Sequence, residues 1–193
     1  MNMKISDLIN EIITEWSYRV ENGMPDATNP AHLVHLGIVL KEIKEDMVYS
    51  RVSRRIRITG SRGFDDYLKL ALATGSDEFT HFVNAITTNL TSFFRESHHF
   101  DFITQTALPG WKATPGRQRL RIWSAGSSTG EEAYSIAMTL ADQVPKNWDT
   151  KILATDVDTD VVAQGDSGIY TQERINGLSK SLVTQHFDKV KVD

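Results

Sequence analysis

The sequence predicts an α/β protein in which an all-helical N-terminal domain precedes the opening part of a nucleotide-type βαβ unit. Two observations lead to this class. Up to residue 108, apolar residues recur only at helical spacing. From residue 119 the pattern becomes an apolar run, a glycine turn, a helix, a second apolar run and an acid. The change of pattern divides the chain into a helical domain and a sheet-forming domain.

The composition is that of a soluble globular protein. Its 193 residues allow one or two domains, and a hydrophobic fraction of 40% allows a sizeable core. A net charge of -4 argues against a nucleic-acid binder, and the lack of cysteine excludes disulfides and thiolate metal sites. No apolar run reaches the roughly 20 residues of a membrane span, and no signal-peptide segment begins the chain. We expect a cytoplasmic protein without nucleic-acid partners or membrane insertion.

The N-terminal domain, residues 1–108, is predicted to be helical throughout. Its helices are expected at residues 5–20, 42–58, 64–73, 77–86 and 97–108, and residues 21–30 form a loop. Ser76 is a plausible N-cap for the fourth helix.

Residues 109–118 are predicted to be a linker, because two prolines and two glycines fall within eight residues. The second domain, residues 119–193, follows. Its elements are expected at 119–124 (strand), 130–143 (helix), 151–156 (strand), 158–166 (helix) and 179–187 (helix).

A ligand site is predicted where the two strands end. Gly126 begins a turn between strand and helix, and glycine there lets backbone amides approach a ligand closely. Asp156 ends the second strand, a position from which a carboxylate commonly accepts both hydroxyls of a ribose. The simpler alternatives are a plain turn at Gly126 and an N-cap role for Asp156, although Asp158 suits the N-cap role better.

Glu131 has two interpretations that the sequence leaves open. With Ser128 it fits the S-x-x-E capping box, in which the glutamate caps its own helix. Alternatively, its carboxylate pairs with a cationic group of a ligand at the start of the helix.

Five arginines cluster in a stretch, residues 47–64, that contains no acid. They are Arg51, Arg54, Arg55, Arg57 and Arg62. The first three stand at i, i+3 and i+4 of one helix, so they share a face. That face is either simply solvated or a docking surface for an acidic partner, and we favour docking.

His98 and His99 suggest a metal site at first sight. Adjacent helical residues point about 100° apart, so the two rings are not expected to converge, and we predict no metal here.

Three ordered blocks resemble the CheR-type chemotaxis methyltransferases. They are TTNLTSFFRESHHF (87–100), RIWSAGSSTGEEAYSIA (121–137) and ILATDVDTDV (152–161), with RVSRRIR (51–57) and Gly168-Ile-Tyr in support. The resemblance implies a helical domain followed by the first part of a Rossmann-like methyltransferase sheet. It also implies methyl transfer from S-adenosylmethionine to glutamate side chains of chemoreceptors, with S-adenosylhomocysteine as product and no metal.

The resemblance also assigns roles to particular residues. Asn89, Thr91 and Arg95 are implied to reach the cofactor and the transfer site, with Arg95 orienting groups near the methyl. Glu131 is implied to face the methionine amino group and Asp156 to bind the ribose. The arginines 51, 54, 55 and 57 are implied to contact the cytoplasmic helices of the receptor, which are rich in glutamate.

The chain departs from the family after Asp156. The family sheet continues with further strands, whereas the residues that follow here predict mainly helix and tail. We therefore expect a truncated form with one unpaired edge on strand 119–124, weak cofactor binding, and a tendency to aggregate or to depend on a partner. The alternative function is a non-catalytic module that keeps receptor docking alone. A nicotinamide-dependent oxidoreductase fits poorly, because the glycine spacing differs.

Overall fold

The computed structural model describes residues 45–190, so the predicted helix at 5–20 and the loop at 21–30 lie outside the described part. The chain divides into two compact units that meet between Thr88 and Asn89. This boundary differs from the predicted one, because residues 89–108 belong to the second unit. None of the helices in the described part is both long enough and apolar enough to cross a bilayer.

The first unit is a bundle of three helices in its described part. They are α1 (Glu45–Thr59), α2 (Phe64–Ala71) and α3 (Glu78–Ile86). Val48 and Val52, one turn apart on α1, are both buried. Tyr67, Phe82 and the apolar residues around them complete the core. The predicted N-cap Ser76 is wrong by one residue, because Asp77 is the N-cap of α3, although the Ser76 hydroxyl still accepts from the backbone N–H of Glu78 (3.3 Å).

In its described part, the second unit contains eight further helices and strands. In chain order these two strands and six helices are α4 (His98–Phe102), α5 (Leu108–Ala113), β1 (Arg119–Ala125), α6 (Glu131–Leu140), β2 (Asp149–Thr155), α7 (Thr159–Ser167), α8 (Gln172–Ile175) and α9 (Lys180–His186). A π-helical turn, Ile103–Ala107, joins α4 directly to α5.

The predicted linker is wrong in its first half, because α5 continues through Ala113. Pro109 stands in the first turn of α5, where a missing N–H is tolerated. The wider π-helical turn lies immediately before it, and such turns relieve the clash that proline causes inside a regular helix. Only the residues after Ala113 form the irregular connection to β1.

The sheet consists, in the part that the structure describes, of β1 and β2 paired in parallel. One face carries Leu120 and packs on Ile136 and Leu140 of α6, together with Phe100 and Leu108. The other face carries Trp123 and Leu153, which are register partners and are 67% and 60% exposed. This order of an all-helical unit and a small parallel sheet with its crossover helix agrees with the predicted partial Rossmann-like fold.

Candidate functional site

The glycine loop, residues 126–130, connects β1 to α6 and lies against the end of β2. The backbone N–H groups of Gly126 and Ser127 both donate to the carbonyl of Thr155, at 2.8 and 2.9 Å. Gly126 has φ +78°, and a Cβ there would meet nothing within 4 Å, so open space lies beside its backbone. The loop is therefore fixed to β2 on one side and accessible at Gly126.

Asp156, the residue after β2, fixes the position of the glycine loop. Its Oδ2 accepts from the backbone N–H of Ser128 (2.8 Å), and its Oδ1 accepts from the backbone N–H of Asp158 (3.0 Å). Each carboxylate oxygen keeps a further lone pair for a ligand. Asp158, as expected, is the N-cap of α7, and its Oδ1 accepts from the N–H groups of Asp160 and Val161.

Ser128 is strained and incompletely paired. It has φ +49°, which is uncommon for a residue other than glycine, and its buried hydroxyl has no hydrogen-bond partner in the described structure. A buried polar atom without a partner, in a loop beside a carboxylate, fits a place where a ligand group supplies the missing bond.

Asn89 lies next to this strand end. Its Nδ2 donates to Oδ2 of Asp158 at 2.5 Å, although the two residues are far apart in the chain. The segment that follows is anchored on α6, because the backbone N–H of Phe94 donates to the hydroxyl of Ser135 (2.9 Å). The structure thus brings Asn89 to the same edge of the sheet as Asp156 and the glycine loop.

Arg95 is exposed, and its Nη1 donates to the carbonyl of Leu90 (2.8 Å). Its two neighbours, Phe94 and Glu96, have φ values of +52° and +53°. Left-handed backbone at a bulky residue such as phenylalanine costs energy and is often found at functional sites. Thr91 is partly buried in the same segment.

Glu131 forms neither the capping box nor an open ligand site. The N-cap of α6 is Gly130, and no side chain caps this helix. The Glu131 side chain is 0% exposed; its Oε1 accepts from Nη1 of Arg174 (2.8 Å) and its Oε2 from Oγ1 of Thr129 (2.6 Å). The carboxylate does pair with a cation, but with one that the chain itself supplies.

Tyr170 contacts the glycine loop at Thr129. Its hydroxyl donates to the carbonyl of Thr129 (2.7 Å). Burial, and then the negative charge of Glu131, raise the pKa of Tyr170 above its usual value. Sequence reasoning missed both Tyr170 and Arg174 as site residues, because each lies more than forty positions from its partner, Thr129 or Glu131.

Comparison with known proteins matches both units to one family. Residues 34–87 match the CheR methyltransferase all-alpha domain, and residues 89–193 match the CheR methyltransferase SAM binding domain. The chain belongs to the CheR methyltransferase family. The boundary between the two matches agrees with the division into compact units between Thr88 and Asn89.

Several relatives within the CheR family are named chemotaxis protein methyltransferases. One from Escherichia coli K12 is 44% identical over 155 residues, which are 78% of this chain and 51% of that protein. One from Borreliella burgdorferi is 38% identical over 168 residues, 82% of this chain and 59% of that protein. A probable one from Rhizobium etli is 41% identical over 161 residues, with 81% and 60% covered. The chain spans between half and three fifths of the length of these CheR relatives.

The arginines of α1 in the CheR all-alpha unit fall into two groups, those that bond to other residues of the unit and those that are exposed. Arg51 donates to the carbonyls of Ala85 and Thr87 at the end of α3. Arg55 forms a bidentate pair with Glu78, at 2.8 and 2.7 Å. This contact raises the pKa of Arg55 and lowers that of the Glu78 carboxyl. Arg54 and Arg57 are exposed.

The expectation that the rings of His98 and His99 diverge is wrong, since their centroids lie 4.2 Å apart. Both residues lie in α4, and their side-chain torsions turn the two rings toward each other although the Cα–Cβ bonds point apart. One ligand atom each of Glu96, His98 and His99 lies within 4.8 Å of the others, and all three residues are exposed. The absence of a metal from this CheR chain stays a prediction.

A cavity of about 300 Å³ lies between α6, α7 and β2. Its walls include Ala133, Ala137, Ile152 and Val162, and Ser128 lines one end. The cavity is mainly apolar; Ser127, Ser128 and Gly130 of the glycine loop line it, whereas Asp156 and Asn89 do not.

Proposed function

We propose that this chain takes part in methyl transfer from S-adenosylmethionine to glutamate side chains of chemoreceptors, the reaction of chemotaxis adaptation. Membership of the CheR family supports the reaction class. The observation that carries the proposal for this chain is the meeting of Asn89, Asp156 and the glycine loop at the carboxyl ends of β1 and β2. Ligands of open α/β sheets bind at this place.

The residues at the strand ends fit the cofactor in three respects. Asp156 keeps lone pairs for the two ribose hydroxyls while its N–H partners hold it in place. Open space beside Gly126 allows close approach to the backbone. The unpaired hydroxyl of Ser128 offers one further polar contact. We assign Asp156 to the ribose, and Asn89, Thr91 and Gly126 to the surrounding cofactor contacts.

When bound, S-adenosylmethionine supplies an electrophilic methyl group on a sulfonium, which an oxygen of the acceptor glutamate attacks to give a methyl ester and a thioether. The acceptor carboxylate is already an anion at neutral pH, so the protein need not remove a proton. Arg95 orients the carboxylate by charge and hydrogen bonds, since guanidinium does not act as a base in proteins. Positioning of this kind contributes up to about 7–11 kcal/mol to catalysis in favourable cases.

We assign receptor docking to Arg54 and Arg57, because both side chains are exposed on α1. Arg51 and Arg55 support this surface by holding α1 against α3. Exposed cations steer an acidic partner and accelerate its association more than they strengthen the final complex.

Titration of S-adenosylhomocysteine into the purified chain by calorimetry tests the cofactor site. We expect binding that Asp156→Ala weakens at least tenfold, since the variant loses both the ribose partner and the anchor of the glycine loop. Asp160→Ala is the matched control, because Asp160 is exposed and lies on α7. Equal affinity of Asp156→Ala and the unaltered chain overturns the assignment.

The second candidate is a non-catalytic module that docks to receptors and transfers nothing. The uncovered sheet face at Trp123 and Leu153 favours it, because parallel sheets are normally buried on both faces and a cofactor pocket needs more than one wall. Capture of the chain by receptor cytoplasmic helices, abolished in Arg54→Glu/Arg57→Glu and accompanied by no S-adenosylhomocysteine binding, supports this candidate over the enzyme.

A further inference from the structure

Arg174 is the cationic partner of the buried Glu131 carboxylate. Glu131 is fully buried and its two oxygens are each used once, Oε1 by Arg174 and Oε2 by the hydroxyl of Thr129. A buried carboxylate without a cation is strongly unfavourable, so the folded chain needs a positive charge at Oε1. Arg174 supplies that charge in the ligand-free protein.

The arginine is held less firmly than its partner. Its side chain is 41% exposed and makes one hydrogen bond to Glu131 instead of the two of a bidentate pair. It projects from α8, a helix of four residues whose buried Ile175 provides the packing. The guanidinium can therefore swing into solvent while Ile175 keeps α8 in place.

We propose that Arg174 is an internal substitute for the ammonium group of the cofactor's amino-acid part, and that this ammonium displaces it from Glu131 on binding. The proposal rests on the function proposed above and on the role that the family resemblance implies for Glu131, which is to face the methionine amino group. Because Glu131 is fully buried, two cations on its one carboxylate would leave an excess buried positive charge, so the ammonium and Arg174 compete for it. Arg174 thus lowers cofactor affinity and keeps the empty site neutral, which makes it a positioning residue outside the reacting groups.

Calorimetry with two ligands tests this exchange. S-adenosylhomocysteine carries the ammonium, whereas 5′-methylthioadenosine shares the adenosine and thioether but lacks the amino acid. We expect Arg174→Gln to bind S-adenosylhomocysteine about fivefold or more tightly than the unaltered chain, a typical size for coupling between sites. The affinity for 5′-methylthioadenosine should not change.

Arg174→Met, which keeps the aliphatic stem without a polar head, repeats the test if the glutamine variant fails to fold. Arg117→Gln is the matched control, since Arg117 is an exposed arginine in the same unit. Circular dichroism establishes that each variant is folded before titration.

The outcomes separate the two proposals. Tighter binding of S-adenosylhomocysteine alone, or binding that appears only in the Arg174 variants, supports the exchange. Equal or weaker binding in the variants, or equal tightening for both ligands, overturns the exchange but leaves the cofactor site intact. If no folded variant binds S-adenosylhomocysteine, the proposed cofactor site and the exchange are both rejected.

Discussion

Each of the two units contains an arginine–glutamate pair beside a tyrosine. The two pairs differ in the exposure of the arginine and in the number of hydrogen bonds that join the two side chains. In the helical unit, Arg55 and Glu78 are 19% and 10% exposed, joined by two hydrogen bonds, and Tyr67 donates to the same carboxylate (2.8 Å). In the sheet unit, Glu131 is fully buried, whereas Arg174 is 41% exposed and makes a single hydrogen bond to it.

The difference indicates two uses of the same chemistry. A bidentate pair that is shielded on both sides fixes two helices and leaves no room for another cation. A pair with one buried and one exposed member keeps the carboxylate out of water while its cation remains exchangeable. We therefore expect the first pair to matter for stability and the second mainly for binding.

The largest effect is expected for Arg55→Ala. It leaves Glu78 partly buried without its cation and releases α1 from α3, so the free energy of unfolding should fall by about 3 kcal/mol. Urea denaturation followed by circular dichroism measures the change. Arg54→Ala, an exposed neighbour, should change stability by less than about 0.5 kcal/mol. Equal effects of the two variants contradict a structural role for the Arg55–Glu78 pair.

Gly130→Ala is expected to rank second, at about 2 kcal/mol of destabilisation. Its φ of +93° disfavours a side chain, and the added Cβ would lie 2.9 Å from the Tyr170 hydroxyl and 3.1 Å from Gly165 Cα. Gly126→Ala is the matched control, because its φ is also positive but its Cβ meets nothing, and about 1 kcal/mol is expected. Thermal melts of both variants give the comparison; if Gly126→Ala costs as much, close packing at Gly130 is unimportant.

Arg174→Gln should destabilise the chain by only about 1 kcal/mol, after allowance for the solvent that screens this exposed arginine. Glutamine can still donate to Glu131, and water can reach the position that the guanidinium leaves. The same urea denaturation measures it. A loss as large as that of Arg55→Ala would remove the distinction between a fixed and an exchangeable pair.

The smallest effect concerns alkaline pH. Burial is the main cause that raises the pKa of both Tyr67 and Tyr170 in the folded chain, and nearby glutamate adds to it. A raised folded pKa contributes stability that is present below the ordinary tyrosine pKa of about 10 and is lost as pH rises above it. Melting temperatures across this range should fall less steeply in Tyr170→Phe. An unchanged slope contradicts the role of Tyr170.

The sequence predicted β1, α6, β2, α7 and α9 to within a few residues, because each has its own apolar period and turn residues, but it missed α8 and assigned most of α5 to a linker. It also predicted Asp158 as an N-cap, which depends on neighbours in the chain. The interactions that it missed are non-local. Arg174 and Glu131 meet only after α7 and α8 have folded back, and no spacing rule reports such a contact.

Two other differences have local physical causes. The linker prediction failed because a π-helical turn accommodates Pro109, a possibility that composition does not reveal. The arginines of α1 were predicted to form one surface. In the structure, Arg51 donates to a backbone carbonyl and Arg55 pairs with Glu78, so both are partly buried. The roles of Asn89, Thr91, Arg95, Gly126, Glu131 and Asp156 toward the cofactor stay predictions.

Trp123 is a fluorescent residue that contacts the strand end beside the glycine loop. The indole Nε1 donates to Oγ1 of Thr155 (2.9 Å), and the carbonyl of Thr155 holds the first two amides of the glycine loop. Because the indole is otherwise exposed, its fluorescence responds both to solvent and to the rotamer of Thr155. We expect movement at the loop to change the emission of Trp123, which can be followed without a label once the chain's other three tryptophans are replaced.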